Sequence, residues 1–137
     1  MKYVLFMVLA VFIAIGCKKK DSVNYTAAIV GNWRYQNSQI DTLNLAGKLY
    51  NSRTVYDTAF VANFADSLQF KANDTAYYIL GGRTTYTTYK VTNNQLSLMG
   101  STDTARLLIT QLNTVSLQLK INTNNLSINY YANFVKY

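Results

Sequence analysis

The chain has 137 residues, a formal net charge of +7, no histidine and one cysteine. Its six acidic residues are all aspartates, so Ser-His-Asp, Cys-His and paired-glutamate catalysis and the usual zinc ligand sets are excluded. We therefore expect no enzyme, no metal and no cofactor, and the scattered basic residues favour no nucleic-acid partner.

The first 16 residues read as an export signal. Lys2 gives a positive start, and an unbroken apolar run covers residues 3–15. A membrane-spanning helix needs about 20 apolar residues, so this run fits the apolar region of a secretion signal. The next four residues, Ala14-Ile15-Gly16-Cys17, resemble a lipobox, the processing site of bacterial lipoproteins, with Ala14 in place of the usual leucine.

The lipobox resemblance implies that Cys17 is the lipidation site. Its thiol would take a diacylglyceryl group, the signal would be cut off, and the new amino group would be acylated with a fatty acid such as palmitate. Two or more acyl chains anchor a protein stably. The alternatives are an uncleaved anchor or an ordinary signal with an incidental cysteine. A lone cysteine also excludes an intramolecular disulfide.

Residues 17–28 are predicted to form the lipidated N-terminus and a polar tether. The lysines at 18–20 suit anionic head groups, at about 1 kcal/mol each near a membrane surface. The start Cys-Lys-Lys-Lys-Asp resembles lipoproteins of the Bacteroidetes type, in which lysine followed by acidic residues favours surface display. Here a single acidic residue, Asp21, follows the lysines. We expect an outer-membrane lipoprotein, with the periplasmic and surface faces both open.

From Ile29 onward, the sequence predicts an all-β domain. Apolar and polar residues alternate with a period of two, and Asn and Gly recur as turn signals. Residues 77–80 read as a further strand, and residues 43–65 fit two strands or a strand and a helical turn. The predicted turns are Asn73-Asp74, Gly81-Gly82 and Asn93-Asn94. The predicted apolar faces are Leu68, Phe70 and Ala72; Tyr89 and Val91; Leu96 and Leu98; Val115, Leu117, Leu119 and Ile121; and Leu126, Ile128, Tyr130, Ala132 and Phe134. This pattern predicts an antiparallel meander that closes as a barrel or a sandwich.

Several motifs in order resemble small lipocalin-like lipoproteins of the Bacteroidetes type. They are Ile29-Val30-Gly31-Asn32-Trp33, Leu68-Gln69-Phe70, residues 89–98, residues 108–119 and the closing aromatic strand 130–137. The resemblance implies that residues 29–137 form a small lipocalin-like β-barrel. It also implies that Trp33 is a structural plug at the closed end. In that family a basic residue of the last strand often packs over this tryptophan, and Lys136 is the one basic residue there.

Each aspartate is followed by Ser or Thr and then by a small or aliphatic residue. The triplet resembles the O-glycosylation site of exported proteins in Bacteroidetes-type bacteria. The alternative is turn chemistry, because aspartate starts Asx-turns. The implied glycan-bearing residues are Ser22, Thr42, Thr58, Ser67, Thr75 and Thr104.

Two functions remain open from the sequence. One is a binding module whose barrel holds a small hydrophobic or amphipathic ligand, as the resemblance implies. The other is a structural or accessory lipoprotein whose outer face docks another envelope protein or a polysaccharide. The direction of the tyrosines distinguishes them. Tyr78, Tyr86, Tyr89 and Tyr130 lining a cavity would favour a ligand, and Tyr77, Tyr131 and Tyr137 clustered outside would favour docking.

Overall fold

The computed structural model describes residues 23–56, 65–121 and 127–137. The fold is an antiparallel, closed eight-stranded β-barrel of lipocalin-like form, so the predicted fold class is confirmed. The described residues form one short helix and nine strands. The elements are α1 (Tyr25–Ala28), β1 (Gly31–Leu43), β2 (Leu49–Val55), β3 (Ser67–Phe70), β4 (Thr75–Leu80), β5 (Arg83–Thr92), β6 (Gln95–Met99), β7 (Thr104–Leu112), β8 (Ser116–Ile121) and β9 (Ile128–Lys136).

Nine strands make an eight-stranded wall because β2 and β3 share one position. From β3 to β9, each strand pairs with the next, and β9 pairs with β1 to close the barrel. The other edge of β1 is divided: Arg34 lies opposite Ser67 of β3, and Ser38 lies opposite Val55 of β2. The two short strands are therefore halves of one wall strand. The stretch 43–65 contains a turn and then β2, and residues 57–64 lie outside the described part.

A β-bulge near the middle of β1 changes which residues face the interior. The pairing with β9 shifts register between Tyr35 and Asn37. Before the bulge, Trp33 faces inward with Tyr35, and after it Ser38 faces inward with Ile40. A bulge adds one residue to one strand and increases local twist, which helps a sheet close.

The strand alternation predicted from the sequence is largely confirmed, with two corrections. Val115 is 64% exposed because β8 begins only at Ser116. Ala72 is exposed because β3 ends at Phe70 and the chain turns there. Leu126, which the sequence places on an apolar face, lies outside the described residues.

The three predicted turns are confirmed. The positive φ angles lie where the sequence offers Asn, Asp or Gly: 60° at Asp74, 55° and 76° at Gly81 and Gly82, and 54° at Asn93. These residue types adopt the left-handed region at the smallest steric cost.

Helix α1 lies within the segment predicted to be the tether. Asn24 caps it by accepting a hydrogen bond from the backbone N–H of Ala27 at 3.2 Å. Tyr25 packs against the core, and Ile29 just beyond the helix is fully buried. None of the helical structure within the described ranges has the length and hydropathy needed to cross a membrane.

Candidate functional site

The two ends of the barrel can be assigned from the path of the chain. The chain enters β1 beside α1, at the end that also carries the β3–β4, β5–β6 and β7–β8 turns. We call this the closed end. The β1–β2, β4–β5 and β6–β7 turns lie at the opposite end, which we call the mouth.

Trp33 lies in the core at the closed end, under a lysine. Its indole Nε1 donates a 2.7 Å hydrogen bond to the carbonyl of Ile29. The Lys136 ammonium lies 5.2 Å from the centre of the ring and donates a 3.0 Å hydrogen bond to the carbonyl of Val30. Trp33 thus lies where a barrel plug has to lie, and Lys136 covers it; the plug role itself stays a prediction.

The structure explains why the first position of the Gly-x-Trp motif is a glycine. Gly31 has a φ of +143°, and a Cβ built on it would lie 2.5 Å from Cε of Lys136. A side chain at this position would meet both backbone strain and the lysine that covers the tryptophan.

Aromatic contacts fill the rest of the closed end. Phe70 packs edge-on against Tyr89 at 5.0 Å between ring centres, and Tyr35 packs likewise against Phe134 at 5.9 Å. The Tyr89 hydroxyl donates a 2.8 Å hydrogen bond to the carbonyl of Lys71. Burial raises the pKa of Tyr89, and the nearby Asp74 carboxylate adds to the shift. Small barrels of this size are commonly filled by side chains, and this end is.

The inward face changes character towards the mouth. Strand register places five apolar residues on it that are only half-buried. They are Tyr78, Leu98, Ile121, Ile128 and Tyr130. Ala105, opposite Leu98, faces inward and is exposed. The wall of the mouth is therefore apolar and open to solvent.

Polar and basic residues follow at the same end. Arg53 lies opposite Ile40, and Arg83 lies opposite Leu80, so both stand on the inward face. Both are exposed. Thr42 and Asn51 share this face and lie opposite each other. The mouth thus combines an apolar wall with a basic, hydrogen-bonding rim.

The outer wall carries a separate cleft of about 230 Å³. Register aligns Asn32, Gln69, Tyr77 and Tyr86 in one outward row across β1, β3, β4 and β5. The cleft is lined by Asn32, Ser67, Gln69, Tyr77, Ile79, Thr84 and Tyr137. We call it the outer cleft. A second cleft of about 370 Å³ lies between α1 and β5 at the closed end, beside Thr26, Asp74 and Lys90.

The tyrosines point both ways. Tyr78, Tyr89 and Tyr130 face inward, although Tyr89 is fully packed. Tyr86 faces outward beside Tyr77 and is 75% exposed, so it does not line the interior with the other three.

The three tyrosines expected outside do not form one cluster. Tyr77 and Tyr137 meet at the outer cleft. Tyr131 lies on the outward face of β9, opposite Lys120 of β8 and Gln39 of β1. Burial raises the pKa of Tyr131, and Asp41 adds to it.

The predicted modification sites differ in accessibility. Cys17, Ser22 and Thr58 lie outside the described residues. Thr42 stands on the inward face of the mouth, Ser67 lines the outer cleft, Thr75 is half-buried at the start of β4, and Thr104 is exposed at the start of β7.

Three of the aspartates that begin the predicted glycosylation triplets take part in backbone hydrogen bonds or turns. Asp66 accepts a hydrogen bond from the N–H of Gly81 at 2.9 Å, Asp103 accepts one from the N–H of Thr104 at 2.7 Å, and Asp74 adopts a left-handed turn conformation. In the described part of the chain, no group of three His, Cys, Asp or Glu side chains is placed to hold a metal ion.

Comparison of the chain with protein-family models, with curated proteins and with solved structures gives no match. The candidate sites therefore rest on the geometry alone.

Proposed function

We propose that the protein is a membrane-anchored envelope lipoprotein whose barrel binds a small amphipathic ligand at its mouth. The observation that carries the proposal is the change along the inward face. At the closed end Trp33, Phe70 and Tyr89 are at most 2% exposed, and at the mouth Leu98, Ile121 and Tyr130 are half-exposed. An apolar concave wall with a few convergent polar groups is the usual form of a small-molecule site.

The rim favours a ligand with an anionic head. Arg53 and Arg83 project from the inward faces of β2 and β5, where a ligand entering the mouth would meet them. Guanidinium groups bind carboxylates and phosphates through paired N–H donors. The ligand class that fits is an acyl or aromatic body that carries a carboxylate or phosphate.

The position of α1 favours a mouth that points away from the membrane. The helix packs against β5 at the closed end, and the proposed lipid anchor at Cys17 lies only a few residues before it. Lipid on Cys17 would hold the closed end near the bilayer. A Cys17→Ala chain should lack the covalent lipid mass of the unaltered chain, because the substitution removes the thiol that takes the lipid, and mass spectrometry of the two chains measures the difference.

Native mass spectrometry of the protein from its own host, repeated under denaturing conditions, tests ligand binding. We expect an added mass that disappears on denaturation. The covalent mass that remains would report lipid and any glycan.

Two matched variants locate the site. Ala105→Trp places a large side chain on the inward face of the mouth. Thr104→Trp places the same side chain one residue earlier in β7, on the outward face. The non-covalent mass should be lost in the first and kept in the second. Its retention in both, or its absence from the unaltered protein, would contradict ligand binding at the mouth.

Docking of another envelope protein is the second candidate, and the β1–β2 hairpin favours it. Leu45, Leu49 and Tyr50 are exposed around this hairpin. Clusters of exposed apolar side chains commonly mark protein contacts. A photo-crosslinking residue at Tyr50 should trap a defined partner in the host, whereas one at Tyr131 should not.

A further inference from the structure

We propose that the outer cleft is a binding site for an acidic saccharide, separate from the mouth. The cleft lies on the outward face of β1, β3 and β4, and the mouth is formed by the inward face. Loss of binding at one of these sites would therefore leave binding at the other unchanged.

The half-buried Tyr77 and the exposed Tyr137 border the cleft with their rings. Tyr77 contacts Tyr86 at 6.4 Å between ring centres with a 46° tilt, and Tyr137 is 59% exposed. The backbone N–H of Tyr137 donates a 3.1 Å hydrogen bond to the carbonyl of Asn32, which holds Tyr137 beside β1. The face of an aromatic ring is electron-rich and attracts the polarised C–H groups on the apolar side of a pyranose.

Polar groups cover the floor between the rings. The Gln69 amide Nε2 donates a 2.7 Å hydrogen bond to Oδ1 of Asn32, so the two amides are fixed relative to each other. Each amide keeps further donor or acceptor capacity. Ser67 and Thr84 add two hydroxyls. Amides and hydroxyls beside aromatic rings match the alternation of hydroxyl and C–H groups on a sugar.

The charge at the cleft favours an acidic sugar. The Lys71 ammonium lies 4.6 Å from the centre of the Tyr77 ring, and the Arg34 guanidinium lies 4.8 Å from that of Tyr137. Asp66, which precedes the cleft residue Ser67, accepts a hydrogen bond from the N–H of Gly81. The two cations flank the rings and would attract the carboxylate of a uronic acid.

The size of the cleft favours one sugar ring of a longer chain. Its volume of about 230 Å³ lies below the roughly 300–1,000 Å³ typical of sites that enclose a drug-sized molecule. A glycan chain could pass along the open surface and place one residue in the cleft. An acyl chain would leave the further donors and acceptors of the amides and hydroxyls in the cleft without hydrogen-bond partners.

Calorimetric titration of the full chain, purified in detergent, tests the proposal. The probes are an oligogalacturonate, a neutral malto-oligosaccharide of the same length and polyacrylate. We expect the oligogalacturonate to bind more tightly than either of the other two. No heat with any saccharide at millimolar concentration, or equal binding of polyacrylate, would overturn the proposal.

Four variants assign the binding to the cleft. Tyr77→Ala should weaken oligogalacturonate binding by about tenfold, the usual size of a lost aromatic contact, and Tyr77→Phe should keep the affinity. Arg34→Gln should weaken the acidic probe and leave the neutral one unchanged. The matched control is Tyr131→Ala, because Tyr131 also faces outward with a lysine, Lys120, at 5.8 Å from its ring. An equal loss in Tyr77→Ala and Tyr131→Ala would contradict the assignment, and thermal melts establish that each variant is folded.

Discussion

The closed end and the mouth of this barrel are made by the same strands, yet one is packed and the other is open. The difference lies in the inward side chains. At the closed end Trp33, Phe70, Tyr89 and Phe134 fill the interior with aromatic rings. At the mouth small or polar residues such as Ala105 share the face with half-exposed apolar ones. A barrel of eight strands is just wide enough for side chains to fill, so residue size decides which end stays open.

The closed end and the mouth contribute differently to the stability of the molecule. Burial of apolar area stabilises the fold, and most of it lies at the closed end. The mouth contributes less to stability, so its residues can vary to suit the ligand binding proposed above. Substitutions at the closed end should change the free energy of unfolding, and substitutions at the mouth should change affinity.

The largest expected effect is the truncation of the buried tryptophan. Trp33→Ala should lower the free energy of unfolding by about 3–5 kcal/mol, the usual loss for a large buried aromatic residue. Tyr130→Ala, on the half-buried wall of the mouth, should cost less than about 2 kcal/mol because much of its surface is already solvated. Denaturant unfolding followed by circular dichroism measures both. Equal losses would remove the distinction between the two ends.

The next effect concerns the glycine that lies under the lysine. Gly31→Ala should cost about 2–3 kcal/mol, because the backbone is strained for any side chain and the added Cβ would also meet Lys136. Gly47→Ala should cost about 1 kcal/mol, because the φ of +72° is unfavourable but no atom lies within 4 Å of the added Cβ. Repeating Gly31→Ala in a Lys136→Ala chain separates the contact from the strain. If the two glycines proved equally tolerant, Lys136 would not constrain the closed end.

Tyr89 predicts a pH dependence of stability. Its pKa is raised by burial and by Asp74, from the ordinary value of 10.0. The unfolded chain therefore loses the Tyr89 proton at lower pH than the folded chain. The contribution of this group is full below pH 10 and is lost as the pH rises from there through the folded pKa.

Tyr89→Phe tests that dependence. The substitution removes the hydrogen bond to Lys71, and should cost about 1 kcal/mol at neutral pH. It should also make the fall in stability above pH 10 shallower than in the unaltered chain, and the difference between the two unfolding curves isolates Tyr89 from the other titrating residues. Parallel curves would contradict the burial of a titratable hydroxyl at the closed end.

The smallest expected effect compares two lysine–aromatic pairs. Lys136→Met should cost about 0.5–1 kcal/mol, because its ammonium lies over a buried ring and also donates a hydrogen bond. Lys120→Met should cost close to nothing, since its ammonium is 5.8 Å from the ring of the more exposed Tyr131. Thermal melts at matched ionic strength resolve the two. A larger effect at Lys120 would reverse the ranking.

Much of the barrel could be predicted from the sequence, because period-2 alternation is a direct record of a half-buried strand. The strands around Leu117–Leu119 and Ala132–Phe134 follow from this alternation, and the three turns follow from the Asn and Gly residues between strands. The inward and outward faces of β1 could not be predicted from alternation, since the bulge after Tyr35 exchanges the residues that face the interior. The division of the next wall strand into β2 and β3 also hides its length.

The candidate sites were less visible. The alternation of Arg83, Thr85, Thr87, Tyr89 and Val91 in β5 does carry the signal that places Arg83 on the inward face, and it also assigns Tyr86 to the outside. The outer cleft could not be predicted, because its row joins residues of four strands whose register only the folded barrel sets. Alternation within one strand contains no information on such neighbours.

The most direct test of the division between the two ends is an NMR titration of the Cys17→Ser chain with dodecanoate below its micelle concentration. Trp33 is the one tryptophan of the sequence, so its indole N–H gives a single resonance that reports on the closed end. We predict that the amides of Leu98, Ala105 and Ile121 shift with the added amphiphile while the Trp33 indole resonance stays in place. A shift of the Trp33 resonance with unchanged amides at the mouth would contradict the account.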